Sequence, residues 1–400
     1  MEVFLQSRYA TKRNDMRIFI VLLFFLATSL SALELSVPPL KPQKILINSI
    51  AEFNNSIIVR TNSLSEKKKG SSLWKLNHHT KVIVPYLDKN NNKVIAIFKN
   101  KNNLQVYASK KGNFVFLNYL DNEKRNVILR IVEDQVFKLA VNRKFTYLIF
   151  KDKIILIYNK IIKKIKLPTL DIFSRNNLPS SIAISETNLF LGYNNGEWGG
   201  ALYKLPIGVE GEFMKNRNII GKNILGENID TIKLDIKDNL WVTTSLAHLA
   251  GVSSGLYKYN NIKIETIIKQ NGLSIGKKTK FKSTGNISLP KLTTINGMTV
   301  RKDNNIIFVA PSVGVLSVNK SLNLSYLWRG NLYFSYEESQ KIVNDSKEEV
   351  IKFSVGSRPE GIVIKKKKMF IASRSLGVLE FSRKNNGNYI PTSQYIFSSK

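Results

Sequence analysis

Four stretches of this sequence repeat one order of parts. A repeat constrains a fold more tightly than composition does, because each unit must bury its apolar surface against a copy of itself. SSIAISETNLFLGY from Ser180, TIKLDIKDNLWVTT from Thr231, GMTVRKDNNIIFVA from Gly297 and GIVIKKKKMFIASR from Gly361 each read as strand, polar turn, strand. A variable connection follows, then a glycine that leads a third apolar run: Gly200 before ALYKL, Gly255 before LYKYN, Gly314 before VLSVN and Gly377 before VLEFS. Elsewhere the chain keeps the same grammar of short β-branched and aromatic runs broken by Asn, Lys, Gly and Asp, with no sustained helical period.

Weaker copies of the third strand are read at 73–76 (LWKL), 104–107 (LQVY) and 154–158 (IILIY). The expected fold is therefore all-β, a single β-propeller of about seven four-stranded blades, with six to eight allowed by the irregular spacing. Polar insertions near 272–290 and 337–347 cause that irregularity. Such stacking buries both faces of each sheet and needs no covalent staple, which suits a chain of 400 residues with no cysteine. Thiolate catalysis and cysteine-based metal sites are excluded by the same inventory.

The N-terminus reads as a signal peptide over residues 1–32, with the propeller domain at 33–400. Lys12, Arg13 and Arg17 precede the apolar run at 18–27, and small or polar residues follow to Ala32; Met16 could be the true start. The run is too short for a comfortable membrane span, and the mature chain contains no other. The expected location is outside the cytoplasm, periplasmic or secreted. The net charge of +32 favours anionic surfaces, although the lysines are spread along the chain rather than gathered. Nucleic acid is not an expected partner, because the basic runs lack interleaved aromatics and the leader directs export.

The segments DNLWVTT with GLYKYN, DNNIIFVAPSVGVLSV and KKMFIASRSLGVLEF resemble the repeats of two-component-regulator-type propellers, and RPEGIVI at 358–364 resembles the blade start of NHL- or YVTN-type propellers. The resemblance implies the propeller fold, and in that family such domains often sense ligands beside a membrane-anchored kinase.

In a blade of strands a to d, the b–c and d–a connections share one face and the a–b and c–d connections the other. The a–b turns are plain, whereas the b–c segments carry more chemistry. Asn194, Asn195, Glu197 and Trp198 combine amides, a carboxylate and an aromatic surface between glycines, a set suited to a sugar, cation or peptide, or to sealing a blade junction. His248 sits in what reads as a long b–c loop at 245–254, and Arg374 with Arg358 and Glu360 could line the central channel. GVSSG at 251–255 matches a nucleophile-elbow string but runs straight into a strand, and GLSIGKKT at 272–279 opens no helix, so it reads as a linker. His78 and His79 read as neighbours in an extended strand, pointing to opposite faces.

The functional expectation is a non-catalytic, monomeric module that binds a protein, glycan or other anionic envelope ligand through the b–c/d–a face, without a cofactor. One alternative is a metal-dependent propeller hydrolase or lyase, with calcium held by residues such as Glu197, Asn296 and Glu360. A second is a periplasmic ligand sensor serving a membrane partner.

Overall fold

The computed structural model describes residues 46–53, 56–62, 71–85, 94–98, 104–108, 114–120, 123–129, 138–142, 144–150, 153–158, 161–166, 178–214, 222–248, 251–275, 278–330, 334–344, 347–357, 359–373 and 377–397. The expected leader at 1–32 lies outside these residues, as do Arg358 and Arg374.

Apolar residues at every second position, on strands whose two faces are both covered, make nearly every described stretch a strand. In Asn188–Asn194, Leu189, Leu191 and Tyr193 pack into one core while Phe190 packs into another on the opposite face. Where both faces are dry the alternation vanishes: all five residues of Ile306–Ala310 (IIFVA) are buried.

The sheets are four of four strands, one of five, and one of eight that is two four-stranded blades joined at their outer edges, plus a two-stranded ribbon. They make seven blades. Blade 1 is Leu46–Phe53, Ser56–Asn62, Ser71–Asn77 and Val82–Pro85; blade 2 is Val94–Phe98, Leu104–Ala108, Phe114–Leu120 and Glu123–Leu129; blade 3 is Lys138–Val141, Thr146–Ile149, Lys153–Tyr158 and Ile161–Lys166. Blade 4 is Ser181–Ile184, Asn188–Asn194, Gly200–Pro206 and Lys222–Leu225; blade 5 is Ile229–Leu234, Leu240–His248, Gly251–Tyr259 and Ile264–Ile275, with Lys278–Thr284 as a fifth strand. Blade 6 is Asn296–Val300, Ile306–Ala310, Gly314–Val318 and Leu324–Arg329, and blade 7 is Pro359–Lys365, Lys368–Ser373, Gly377–Arg383 and Tyr389–Phe397. Within each blade neighbouring strands are antiparallel, and we letter them a to d in chain order.

The a strands of successive blades from 2 to 7 lie beside one another, and that of blade 7 lies beside that of blade 1. Strand c of blade 1 meets strand a of blade 2. Separate apolar clusters fill the junctions of blades 3 and 4, 4 and 5, 5 and 6, 6 and 7, and 7 and 1. The close approach of blades 6, 7 and 1 depends on glycine: a Cβ on Gly297, whose φ is +53, would come within 3.0 Å of the Gly361 backbone, and one on Gly361 within 3.0 Å of Ile50.

Among the described residues the ring closes without exchanging a strand between its first and last blades. Instead the outermost strands of blades 1 and 7 pair in parallel, Ile396 with Val82 and Phe397 with Ile83. A short parallel ladder is a modest tie, and a polar cluster reinforces it. The Glu380 carboxylate, 2% exposed, accepts from Lys81 Nζ at 3.0 Å, Lys368 Nζ at 2.6 Å and the Tyr395 hydroxyl. Burial pushes this carboxyl up, but the hydrogen bonds from Lys368, Tyr395 and Lys81 outweigh it and hold the pKa at about 2. Because the Tyr395 hydroxyl donates to Glu380, His78 Nδ1, 2.8 Å away, must carry the proton it shares with that oxygen.

Three sequence expectations change here. Residues 104–107 belong to a second strand, not a third. Residues 245–248 and 251–254 form an extended ladder rather than a loop, with Ser245 opposite Ser254 and His248 opposite Gly251, because strands b and c of blade 5 run on past the blade. The insertions are also strand: the fifth strand of blade 5 takes up the first, and the ribbon Phe334–Asn344 with Lys347–Ser357 the second.

Candidate binding face

The b–c connection of blade 4 is a single 3-10 turn, Gly196–Trp198. Its form follows from its glycines and amides. Gly196 and Gly199 have φ of 63° and 84°, values that side chains rarely permit. Asn194 Oδ1 accepts from the Gly196 N–H at 3.0 Å, and the Asn195 and Gly199 main chains bond across the turn at 3.0 Å. Asn228, 6% exposed on the d–a connection that leads into blade 5, then clamps it. Its Nδ2 donates to Gly196 O at 2.7 Å and its Oδ1 accepts from the Asn195 N–H at 3.2 Å. The turn thus presents Trp198 with 78% of its surface exposed. Trp198 does not seal a blade junction. The side chain of Glu197 lies outside the described residues.

Next to Asn228 stands a residue that sequence reasoning missed. The Glu227 carboxylate accepts from Thr244 Oγ1 at 2.8 Å, Tyr257 OH at 2.7 Å and Lys269 Nζ at 2.8 Å. Burial first, and then the bond to Glu227, push the Tyr257 hydroxyl far above its ordinary pKa, so it acts as a fixed donor. Gly200 lets this connection close in, since a Cβ there would lie 2.5 Å from Glu227 O. Ion pair, tyrosine and threonine together lock the d–a connection to strands b, c and d of blade 5. The only hint in the sequence is the short polar run Gly226-Glu227-Asn228 just before a blade.

Glu360 proves to occupy a repeated position. Counting back from the a–b turns, Ser180, Asp230, Asn296 and Glu360 are equivalent in blades 4 to 7. The first two brace neighbouring blades: Ser180 Oγ donates to Ile229 O at 2.6 Å, and Asp230 Oδ2 accepts from the Gly297 N–H at 3.3 Å. Asn296 Nδ2 donates to Ser245 Oγ at 3.2 Å, while its Oδ1 is buried without a partner. His248 ends strand b of blade 5, and its side chain lies outside the described residues. The structure thus places Asn194, Asn195, Trp198, Asn228 and Glu227 together at blades 4 and 5 and puts Glu360 at the start of blade 7.

The enzyme-like strings dissolve into sheet. Ser253 and Ser254 of the elbow string lie within strand c of blade 5, their hydroxyls donating to Asn271 Oδ1 at 2.6 Å and Thr293 O at 2.7 Å. Residues 272–275 and 278–279 lie in two paired antiparallel strands, not in a linker. His78 and His79 sit in the c–d turn of blade 1 rather than in an extended strand. Among the described residues no group of three or more His, Cys, Asp or Glu could hold a metal ion.

These blades, stacked as a ring about their a strands, define the class: the chain is a β-propeller, with seven blades among the described residues. It is similar to Hsv2 of Kluyveromyces lactis, at 12% identity over 88% of this chain and 98% of that one, with a TM-score of 0.40. It is also similar to the Dos1 propeller, at 12% identity over 91% and 99% with a TM-score of 0.43. The extracellular domain of BT4673 from B. thetaiotaomicron matches at 9% identity over 87% and 71%, with a TM-score of 0.29. No family model matches the sequence, and no curated protein does. No helix among the described residues is long and apolar enough to cross a membrane.

Proposed function

We propose that this propeller is exported and acts as a non-catalytic binding module, taking a protein or glycan on its b–c/d–a face over blades 4 and 5. The carrying observation is Trp198, 78% exposed on a turn that is otherwise fully pinned. An indole held out in water by a rigid scaffold loses little entropy on binding, and its face suits a sugar ring, a cation or an apolar side chain. Asn194 and Asn195 lie in the same connection, Glu197 precedes Trp198 in the chain, and Asn228, next to Glu227, clamps the turn. Export rests on the leader at 1–32 in the sequence.

The test is a screen of the full chain on a glycan array and against envelope proteins of its host, with every hit titrated in parallel on Trp198→Ala. A central indole of this kind should be worth about 2 kcal/mol, or roughly thirtyfold in Kd. Hits that bind the variant as tightly as the parent would place the binding surface elsewhere.

A further inference from the structure

The opposite face carries a different chemistry. Among the described residues the exposed large apolar side chains are Ile161, Ile162, Trp198, Val209, Met214, Ile236, Ile262 and Phe281. Trp198 is on the b–c/d–a face, and Phe281 is in the fifth strand of blade 5. Val209, Met214, Ile236 and Ile262 lie in the a–b and c–d connections of blades 4 and 5, and Ile161 and Ile162 open the outer strand of blade 3 after its c–d turn. Val209 is 93% exposed, Ile262 87% and Ile236 69%.

These are unusual residues for tight turns, and the turns themselves do not require them. The a–b turn of blade 5 is organised by Asp235, which accepts from the Lys237 N–H at 2.8 Å, the Asn239 N–H at 3.0 Å and Trp241 Nε1 at 3.2 Å. The equivalent turn of blade 6 closes with the same main-chain bonds, from Arg301 to Asn305 and from Asn304 to Arg301. There the position of Ile236 is held by Lys302, also exposed. Val209 stands on a turn closed from Gly208 to Glu212 and from Gly211 to Gly208, and the Tyr147 hydroxyl holds it by donating to Gly211 O at 2.8 Å. The tips are fixed, and their side chains point into water for no reason of folding.

Separated aliphatic prongs with Glu210, Lys237, Asp238 and Lys263 beside them are a poor protein interface, which wants a contiguous apolar centre. A fluid bilayer needs no contiguity, since each prong enters between lipids on its own. Further round the same face the turns of blades 6 and 7 bring the exposed lysines Lys302, Lys366, Lys367 and Lys384. No hydrogen bond or ion pair within the described residues engages these ammonium groups. They complement anionic headgroups, and the chain's charge of +32 adds long-range attraction.

We propose that the a–b/c–d face docks on an anionic lipid surface, with Val209, Ile236 and Ile262 entering the interface and the lysines of blades 6 and 7 meeting the headgroups. The Trp198 face would then point away from the membrane, free for its own ligand. The chain has no cysteine, so single labels are clean. Ile262→Cys and Trp198→Cys in the full chain would each carry an environment-sensitive fluorophore and be mixed with phosphatidylcholine vesicles containing or lacking phosphatidylglycerol. The expected result is a blue shift, quenched by lipid-borne nitroxide, at 262 and not at 198, only with the anionic vesicles. It should need about tenfold more lipid once Val209→Ser and Ile236→Ser are added, and more again with Lys366→Gln and Lys367→Gln. The proposal is overturned if the probe at 262 stays in water, if both probes respond alike, or if the serine pair leaves the lipid requirement unchanged. None of these outcomes bears on whether Trp198 binds a ligand.

Discussion

Two glutamates on opposite faces solve the same problem with nearly the same parts, yet they serve different ends. Glu227 gathers a tyrosine, a threonine and a lysine, and Glu380 a tyrosine, a serine and two lysines. Glu380 is sealed, 2% exposed, between the first and last blades, so its bonds hold the ring shut. The Glu227 side chain keeps 21% of its surface and stands beside the clamp of an exposed indole, so its bonds hold a binding surface in shape. A buried carboxylate cluster is thus not by itself a sign of a site. What distinguishes the two is the neighbour each one positions.

That contrast can be attacked directly, and the largest effect belongs to the seam. Glu380→Ala strips a buried tyrosine of its acceptor and two lysines of their partner, and should lower unfolding stability by about 3 kcal/mol in urea titrations. A loss below about 1 kcal/mol would mean that the parallel ladder alone closes the ring. The same carboxylate makes a pH signature. Its folded pKa of about 2 lies below the ordinary 4.5, so its contribution is complete above pH 4.5 and fades as the pH falls towards 2. Melting curves of parent and Glu380→Gln should therefore converge across that window, and parallel curves would rule out the linkage.

On the other face the effects are smaller. Glu227→Ala should cost about 2 kcal/mol, because its tyrosine and threonine lose an acceptor while Lys269 can turn to water. Asn228→Ala removes two bonds to the Trp198 turn and should cost about 1 kcal/mol. Amide exchange at Gly196 and Gly199 should speed up with little change elsewhere; global loosening would contradict a purely local clamp. Smallest of all, Ile236→Lys should alter stability by no more than about 0.5 kcal/mol, since the matching turn of blade 6 already carries Lys302 there. A larger loss would show that Ile236 is packed rather than presented.

The repeat was legible because blade strands obey a local rule. Strand a, turn, strand b and the glycine before strand c recur with little regard for context, and Gly200, Gly314 and Gly377 each open a third strand as expected. Gly255 misled, because strands b and c of blade 5 extend past it to His248 and Gly251, and polar residues such as Ser245 and Ser254 read as loop. They are buried because the segment at 291–296 bonds to them, as when Thr293 O accepts from Ser254 and Asn296 donates to Ser245. The Trp198 turn could be read from its glycines and amides. Its support could not, since Glu227 binds partners 17, 30 and 42 residues away.

The sequence by itself determined the all-β class, the blade unit and the chemical richness of the blade 4 turn, because each depends on side-chain period and turn chemistry within a dozen neighbouring residues. Only the tertiary structure decided how the ring closes, which carboxylate guards the seam and which supports the Trp198 turn, and that the aliphatic tips share one face. Those features arise where segments distant in the chain meet, and no local pattern records the meeting.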